Sequence, residues 1–341
     1  MDFAKFKEIY QKEEVVHYPY RRIEKPLVSV LVVTYQHAKY IQQCLEGILK
    51  QQTNFIYEII LGDDDSTDGT REICLEYADK FPDKIRLFLH SRDNNIAIDG
   101  KPTGRFNFMY SLFSAVGKYI ALCDGDDYWV DSNKLQKQID FLESNDDYVL
   151  CSHNGTIVDE IGTGKTGQKL LSANSDFDFN AGDLIKRNRA ATLTVVFRNF
   201  IINSFPDWIT QFGGCDRSLY ILLSQHGKLR YLNFEGAVYR LHRGGISVNS
   251  KVRDESKRVD AKLRKYYRQI AYQIAIDKYL NHKYSDLTNE MLKYNYLQIF
   301  LIQFSKKNFF KAAEALKHLS IQDMGSLKNK IKYSFALIFF R

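Results

Sequence analysis

The sequence is poor in proline, glycine and cysteine for a chain of 341 residues. Its 5 prolines and 19 glycines exclude a collagen-like protein and a Pro/Gly-rich linker protein. Its 5 cysteines are scattered, odd in number and never spaced as CxxC. This argues against a disulfide framework or a cysteine-based zinc site, and it suits a reducing cytoplasm.

Long apolar runs are also missing. The longest, Phe335–Phe340, is far shorter than the ~20 residues that a membrane-spanning helix needs. The charged segment 1–14 lacks the apolar stretch of a signal peptide. We therefore expect a chain that does not cross a membrane by itself. Its 45% hydrophobic residues are enough for a sizeable core in one large or two modest domains.

Positive charge is concentrated in the C-terminal quarter of the chain. Residues 251–341 contain 19 Lys and Arg against 8 Asp and Glu, whereas residues 1–250 contain 29 against 33. A basic segment beside an acidic body predicts two separate tasks. Apolar residues recur at helical spacing from residue 254 onwards, so we expect three helices and a short tail, with a boundary near residue 250.

Short apolar runs alternate with amphipathic stretches over the first half of the chain. We predict buried strands at Leu27–Val33, Glu58–Leu61, Ile85–Leu89 and Tyr119–Cys123. Helices are predicted at residues 4–14, Tyr40–Lys50, Thr70–Phe81, Phe106–Val116 and Lys134–Glu143. Later strands are predicted at Tyr148–Cys151, Thr192–Phe197 and Gly236–Arg240, with a mobile polar loop around 160–176. The alternation predicts a doubly wound α/β sheet.

Two of the predicted strands lead directly into clusters of acidic residues. The second strand leads into residues 62–70, GDDDSTDGT, and the fourth leads into residues 124–127, DGDD. Ligands of an open parallel sheet bind at this carboxyl edge. Helix capping accounts for Asp68 and Thr70, but it does not account for Asp63 and Asp64, which still belong to the end of a strand.

The spacing of Asp124 and Asp126 indicates a metal site. Alternate residues of an extended segment point the same way, so the two carboxylates can face one ligand while Gly125 leaves space for its close approach. Two carboxylates, together with phosphate oxygens and waters, are a usual way to hold Mg²⁺ or Mn²⁺ at a nucleotide. We therefore predict a nucleotide and metal site at this edge of the sheet.

Taken together, these segments resemble family-2 glycosyltransferases with the GT-A fold. The matching segments are VSVLVVTYQHAKYIQQCLEGIL, YEIILGDDDSTDGT, GKYIALCDGDDYW, Cys215-Asp216 and Tyr239-Arg240-Leu241-His242. The resemblance implies a Rossmann-like, mostly parallel nucleotide-sugar-binding sheet over residues 26–250. Residues 1–25 would form a helical lead-in, and residues 251–341 a basic helical extension.

The resemblance also implies an activity: inverting, metal-dependent transfer of a sugar from a nucleotide diphosphate. The donor would be a UDP-sugar carrying a hexosyl or N-acetylhexosaminyl group. The acceptor would be a glycan or a lipid-linked saccharide in the synthesis of a bacterial surface polysaccharide. The cofactor would be Mn²⁺ or Mg²⁺.

Individual residues take roles from the same resemblance. Thr34 and Tyr35 would line the base and ribose, and Asp63 or Asp64 would accept a hydrogen bond from the base. Asp65 stands where the family often has glycine. Arg105 and Asn107 are the nearest matches to a donor-binding Arg-Asn pair, which is blurred here.

The remaining roles concern the metal and the proton. Asp124 would contact ribose and metal, Asp126 the metal, and His242, within Tyr239–Ser247, the metal or the pyrophosphate. Asp216 would be the general base. Two simpler interpretations stay open: Asp216 as a helix N-cap, and His242 as a structural histidine.

Other functions stay open as well. A sugar-nucleotide nucleotidyltransferase would need the same metal and nucleotide, but position 36–39, QHAK, lacks the glycines expected there. A non-catalytic nucleotide-sugar-binding homologue would be indicated by loss of Asp126 or Asp216, and both are present. Nucleic-acid binding is not expected, because the aromatic residues of the basic segment fall at helical core spacing.

The basic C-terminal segment has two interpretations. Its helices pack on the catalytic domain or on a second copy in a homodimer, or its end, residues 328–341, rests on an anionic membrane surface. The second interpretation places a cytoplasmic protein peripherally on the inner face of the cytoplasmic membrane, beside a lipid-linked acceptor.

Overall fold

The computed structural model describes residues 1–21, 24–200, 205–212, 214–245, 255–326, 329–330 and 333. The chain forms two compact units, residues 1–249 and residues 250–341. In these described ranges, no helix is both long enough and apolar enough to cross a bilayer.

The first unit is a mixed β-sheet with helices packed against it. Its strands are β1 (Val16–His17), β2 (Val28–Thr34), β3 (Tyr57–Asp63), β4 (Ile85–Leu89), β5 (Tyr119–Asp124), β6 (Tyr128–Trp129), β7 (Tyr148–Asp159), β8 (Phe177–Phe179), β9 (Val196–Arg198) and β10 (Lys228–Leu241). Its helices are α1 (Phe3–Tyr10), α2 (Ile41–Leu49), α3 (Thr70–Lys80), α4 (Arg105–Ser114), α5 (Lys134–Ser144), α6 (Ala181–Lys186) and α7 (Cys215–Leu223).

The order in which strands are added to the sheet reverses between β2 and β5. The order across the sheet is β1-β4-β3-β2-β5-β9-β7-β10-β6, with β8 paired to β10. Strands β4, β3, β2 and β5 are parallel to one another, and so are β7 and β10. The chain builds β2, β3 and β4 outwards and then returns to add β5 on the other side of β2. The predicted doubly wound α/β sheet is confirmed, and its switch point lies between β2 and β5.

The core of this unit is formed by the central strands. Val30, Val32, Ile59 and Leu61 have no exposed surface, and burying each such side chain is worth about 1.5–3 kcal/mol. This burial holds β2 and β3 in register, so that Thr34 pairs with Asp63 at the strand ends. The polar residues at the carboxyl edge are therefore attached to strands that the buried core holds in place.

The N-terminal helix is shorter than the predicted 4–14. It ends at Tyr10, because the N–H groups of Lys12 and Glu13 both donate to the side-chain oxygen of Asn94, at 2.6 and 2.7 Å. Phe6 of the helix is fully buried and stacks on Phe106 of α4, with ring centroids 5.2 Å apart. The helix is therefore packed into the first unit.

Two predicted segments differ in the structure. The predicted strand Thr192–Phe197 begins as a 3-10 turn, Thr192–Thr194, because the Thr194 hydroxyl donates to the Ala191 carbonyl at 2.7 Å and closes the turn. The polar segment after β7, predicted as a mobile loop, is closed on Asp159. That carboxylate accepts hydrogen bonds from the backbone N–H groups of Ile161, Gly162 and Lys165.

The second unit contains the three helices predicted from the apolar spacing. They are α8 (Glu255–Tyr279), α9 (Ser285–Ser305) and α10 (Phe309–Leu316). Their common core includes Leu263, Ile270, Ile299, Phe300 and Leu316. Most of the predicted membrane-contacting tail, including residues 334–341, lies outside the described residues.

A buried lysine at the start of α5 should make stability depend on pH. Lys134 has no exposed surface, its Nζ lies 3.8 Å from the Trp129 ring centroid, and no hydrogen-bond partner for Nζ is found in the described part of the chain. Burial lowers the pKa of Lys134 to about 7. Between pH 7 and ~10.4 the unfolded chain therefore binds a proton that the folded chain does not, so this lysine makes the free energy of unfolding rise with pH.

Lys134→Met should raise the free energy of unfolding at pH 6.5 by at least about 1 kcal/mol, because it removes an unpaired buried ammonium. The gain should shrink as the pH rises from 7 to 10, as urea unfolding at each pH would show. Lys137→Met on the same helix is the matched control, since Lys137 also lies over an aromatic ring but is half exposed. If the gain in free energy of unfolding does not vary with pH, the lowered pKa of Lys134 is contradicted.

Candidate active site

The candidate site lies at the carboxyl ends of β2, β3 and β5. Val33 of β2 pairs with Asp124 of β5, and Thr34 pairs with Asp63 of β3. The turn after β5 continues through Gly125, whose N–H donates to the Val33 carbonyl at 2.9 Å. The two acidic segments predicted from the sequence therefore meet across β2 at the switch point.

Three potential metal ligands converge just beyond this edge: His37, Asp126 and His242. His242 Nε2 lies 3.0 Å from Asp126 Oδ2, and His37 Nε2 lies 3.7 Å from the same oxygen. The three ligand atoms all lie within 4.8 Å of one another. The structure thus brings together two predicted residues, Asp126 and His242, with a histidine that was not predicted. Asp124 is not a member of this group.

The protonation of the group reflects burial and mutual charge. Burial opposes ionisation of Asp126, but the hydrogen bond from His242 and the nearby His37 outweigh it and hold the pKa of Asp126 below its usual value. Burial lowers the pKa of His37, despite the attraction of Asp126. The result is a carboxylate facing a neutral imidazole of His37, a combination of groups that can bind a divalent cation.

The two other acids of the DGDD turn have raised pKa values. Burial and the charges of Asp126 and Asp216 raise the pKa of Asp124 to about 8. Burial, followed by the charges of Asp126 and Asp124, raises the pKa of Asp127 well above its usual value. Asp127 Oδ1 accepts the backbone N–H of Arg240 at 2.9 Å. It therefore anchors β10 to the turn after β5.

The acidic turn after β3 positions His37. Three consecutive N–H groups of the loop after β2 donate to its side chains: Gln36 to Ser66 Oγ (3.0 Å), His37 to Thr70 Oγ1 (2.7 Å) and Ala38 to Asp68 Oδ2 (3.1 Å). Asp68 Oδ1 also accepts the N–H of Thr70, at 3.1 Å, at the start of α3. The N-cap of α3 is Gly69, which has no side-chain cap bond, so the prediction of Asp68 and Thr70 as caps is corrected: Asp68 bonds the first helical N–H from the position before the N-cap, and the same residues hold the histidine loop.

The space beside Gly125 is filled by protein. A Cβ at this position would lie 2.7 Å from Thr34 Oγ1 and 3.1 Å from His37 Nδ1. The prediction that Gly125 leaves space for a ligand is thus corrected, because the two side chains already occupy that space. Glycine is required for the close packing of the turn against the loop after β2.

Asp63 and Asp64 are buried, and each is paired with an arginine. Arg71 Nε lies 2.6 Å from Asp63 Oδ2, and an Arg92 guanidinium nitrogen lies 2.5 Å from Asp64 Oδ2. The second oxygen of each carboxylate, Oδ1, is buried and has no hydrogen-bond partner among the described residues. Burial raises the pKa of Asp64 to about 6, although the charge of Arg92 acts in the opposite direction.

The other predicted donor-binding residues have different surroundings. Thr34 is buried, with its hydroxyl 3.2 Å from His37 Nδ1. Tyr35 is partly exposed, and the Arg92 guanidinium lies 3.9 Å from its ring centroid. Arg105 and Asn107 are buried and donate to the backbone carbonyls of Thr210 (3.0 Å) and Gly62 (2.7 Å), respectively. These last two bonds support the backbone around the site.

Asp216 lies in the first turn of α7. Its Oδ2 lies 3.3 Å from the Thr192 hydroxyl and 3.4 Å from the Asn188 side-chain nitrogen. Its charge contributes to the raised pKa of Asp124. In the described residues around α7, its carboxylate contacts side chains and makes no hydrogen bond to a helix N–H, unlike an N-cap.

Arg240 links the histidine segment to the turn after β5. Its guanidinium donates to the Asp126 carbonyl at 2.7 Å and also to the Gln43 side chain. It lies between the rings of Tyr40 and Tyr128, 4.9 and 4.4 Å from their centroids. Sequence reasoning did not predict this role. The predicted segment Tyr239–Ser247 is described to residue 245, and Ile246 and Ser247 lie outside the described residues.

Comparison with known proteins identifies the family of the chain. The sequence model of the family described as Glycosyl transferase family 2 matches residues 29–202. The Mycobacterium tuberculosis protein Rv1520 is 34% identical over 219 residues, and the alignment covers 64% of this chain and 60% of Rv1520.

Two further proteins are similar. The Escherichia coli UDP-Glc:alpha-D-GlcNAc-diphosphoundecaprenol beta-1,3-glucosyltransferase WfaP is 31% identical over 226 residues, covering 65% of this chain and 80% of WfaP. The crystal structure of Staphylococcus aureus TarS 1–349 in complex with UDP-GlcNAc superposes with a TM-score of 0.53 at 17% identity, covering 91% of this chain and 87% of that one. The likeness to TarS concerns the fold.

The pair between Arg71 and Asp63 should be needed for stability at this edge. Arg71→Met leaves the carboxylate of Asp63 buried without its cation, so we expect the free energy of unfolding at pH 7 to fall by about 3 kcal/mol. Urea unfolding at pH 7 measures the loss. Arg187→Met, at an exposed arginine, should have little effect, and equal losses for the two variants would contradict the role of the pair.

Proposed function

Because the chain belongs to glycosyltransferase family 2, we propose that it transfers a sugar from a nucleotide-diphosphate sugar to an acceptor hydroxyl, with inversion at the anomeric carbon. The acceptor is a glycan or a lipid-linked saccharide in the synthesis of a bacterial surface polysaccharide. The observation that carries the proposal is the position of Asp124 and Asp126 at the switch point, where the Asp126 carboxylate lies beside the imidazoles of His37 and His242. The charge of Asp216, at the start of α7, contributes to the raised pKa of Asp124.

The donor nucleotide would bind at the ends of β2 and β3. Asp63 and Asp64 each offer a buried oxygen without a partner in the described structure, and such an acceptor is stabilised by an N–H of a base. Tyr35 offers a partly exposed ring beside them, and Thr34 a hydroxyl at the strand end. A uridine diphosphate donor is supported by the name of WfaP, which specifies UDP-Glc.

The residues at the end of β5 suit a divalent cation. Asp124, Asp126 and His242 would hold Mn²⁺ or Mg²⁺, since carboxylates are usual protein ligands of both ions and imidazole also binds transition-metal ions. A cation bound there would neutralise the negative charge of the leaving diphosphate. The raised pKa of Asp124 supports this assignment, because burial, followed by the charges of Asp126 and Asp216, disfavours its ionised form, and a bound cation would offset these effects.

Asp216 would act as the general base. The acceptor oxygen forms a bond to the anomeric carbon as the bond from that carbon to the diphosphate oxygen breaks, and the acceptor proton moves to the Asp216 carboxylate. Thr192 and Asn188 contact one oxygen of this carboxylate and orient it. The transferred group would be a hexosyl or N-acetylhexosaminyl residue.

The protein would work at a membrane surface. A lipid-linked acceptor is supported by the name of WfaP, which specifies a diphosphoundecaprenol acceptor. The basic segment 251–341 would bring the site to the anionic inner face of the cytoplasmic membrane. Packing of the same segment in a homodimer is the competing proposal.

Asp216→Asn tests the chemical step. The variant keeps the size of the side chain but cannot accept a proton, so kcat for sugar transfer should fall by roughly 10²–10⁴. Hydrolysis and transfer are measured with a panel of UDP-, GDP- and dTDP-sugars in the presence of Mn²⁺, and donor affinity is measured by titration. Donor affinity should be unchanged.

Two controls accompany this measurement. Asp140→Asn, at an exposed acid of α5, should transfer sugar at the rate of the unmodified protein. EDTA should abolish transfer by the unmodified protein. If Asp216→Asn transfers sugar at a near-normal rate, Asp216 is not the general base and has a structural role. Failure to turn over any nucleotide sugar in the panel would refute the proposed function.

Membrane binding is tested by vesicle sedimentation of the full-length protein. The protein should sediment with anionic vesicles and not with neutral ones, and less so as salt rises. Changing Lys328, Lys330 and Lys332 to Gln should weaken this binding, because each basic residue contributes about 1 kcal/mol near an anionic surface. The same change at Lys80, Lys101 and Lys165, exposed on the first unit, is the control. Equal sedimentation of both variants would favour packing or dimerisation.

A further inference from the structure

We propose that His37 is a third protein ligand, with Asp126 and His242, for the divalent cation of this site. We further propose that this set of two imidazoles and one carboxylate selects a first-row transition-metal ion such as Mn²⁺ or Co²⁺ over Mg²⁺. The inference rests on the proposed function and extends it to a residue from a different loop and to the class of metal.

The two distances from Asp126 are close to those between ligands of one ion. Ligand atoms about 2.1–2.2 Å from an ion, at angles between octahedral and tetrahedral, are separated by about 3.0–3.6 Å. Asp126 Oδ2 lies 3.0 Å from His242 Nε2 and 3.7 Å from His37 Nε2. The second distance is too long for a hydrogen bond, so a direct bond to Asp126 does not account for the position of the His37 ring.

The other nitrogen of His37 has a partner of its own. Nδ1 lies 3.2 Å from the Thr34 hydroxyl. With its proton on Nδ1, the ring donates to Thr34 and directs the lone pair of Nε2 towards Asp126. Metal-binding histidines are commonly oriented in this way, through a hydrogen bond from the nitrogen that does not bind the metal.

The backbone of His37 is also held in place. Its N–H and those of its two neighbours donate to the acidic turn after β3. Gln36 adopts a left-handed conformation, with φ of 56°, which turns the chain sharply after β2. The ring packs against the position of Gly125, where a Cβ would lie 3.1 Å from Nδ1. His37 is therefore fixed by its backbone, by Thr34 and by the turn after β5.

The chemistry of the three groups supports the choice of metal. Mg²⁺ is usually bound by oxygen ligands and retains several waters. Imidazole nitrogen favours first-row transition-metal ions, and two of the three ligands here are imidazoles. A tridentate protein site also leaves coordination positions for diphosphate oxygens and water.

The test is direct metal binding by the full-length protein without nucleotide. Free Mn²⁺ is measured by electron paramagnetic resonance during titration, and Mg²⁺ is then added as a competitor. The unmodified protein should bind Mn²⁺ at least ~10-fold more tightly than Mg²⁺, because imidazole nitrogen binds a transition-metal ion more tightly than it binds Mg²⁺. His37→Asn keeps a polar group near Nδ1 for Thr34 but removes Nε2. It should weaken Mn²⁺ binding by about 10–100-fold and reduce the preference over Mg²⁺.

The control is His226→Asn, since His226 is exposed on the first unit and lies outside the three-residue group. It should bind both ions as the unmodified protein does, and thermal unfolding shows whether the variants are folded. If His37→Asn binds Mn²⁺ normally while Asp126→Asn does not, His37 is not a ligand. Equal affinity of the unmodified protein for both ions, or no Mn²⁺ binding, also overturns the proposal. Because no sugar nucleotide is present, these outcomes are separate from failure of the donor panel, which concerns the transfer reaction.

Discussion

The structure of the site depends on how the charge of its carboxylates is balanced. Asp63, Asp64, Asp124, Asp126 and Asp127 all stand at the ends of β3 and β5, on either side of β2. Carboxylates this close raise one another's pKa unless cations or hydrogen-bond donors compensate them. Arg71 and Arg92 compensate the first two, the histidines compensate Asp126, and the Arg240 N–H bonds Asp127. In the described part of the chain, no ion pair joins Asp124 to a cationic side chain.

This balance links segments that are far apart in the sequence. Arg240 belongs to β10, and its backbone and side chain both bond the turn after β5. His242 follows two residues later, so the bonds that hold Arg240 also bring the imidazole to Asp126. The turn after β3 acts in the same way on the loop after β2, where Asp68 and Thr70 hold the backbone around His37. His242 is therefore positioned through the acidic turn after β5, and His37 through the acidic turn after β3.

The central part of the fold could be predicted from the sequence, because a strand that is buried on both faces of the sheet appears as a continuous run of apolar residues. The apolar runs at residues 27–33 and 119–123 correspond to β2 and β5 with boundaries within one residue. Strands β1, β6 and β8 have two or three residues, too few for a periodic pattern, and their pairing depends on residues distant in the chain. The turn at Thr192 was missed because a side-chain hydrogen bond outweighs the local strand propensity of its residues.

The site was predictable only in part, for a related reason. Acids that follow buried strands are visible in the sequence, and so is Asp65 in place of a glycine. Its φ of 64° shows that the turn needs a left-handed residue, which aspartate adopts more readily than most residues. His37 could have been suspected from its position three residues after the end of β2. Its partners, however, lie some 90 and 200 residues away, and only the sheet order brings them together.

Asp124 and Asp126 have different surroundings, although they are close in the sequence. The two residues are separated by one glycine, yet the pKa of one is raised and that of the other lowered. Asp126 faces two imidazoles that come from the loops after β2 and β10, whereas Asp124 is subject to the negative charges of Asp126 and Asp216. The absence of a side chain at Gly125 makes this separation feasible, because Thr34 and His37 pack into the space between the two acids. One position without a side chain thus gives two neighbouring carboxylates different chemical environments.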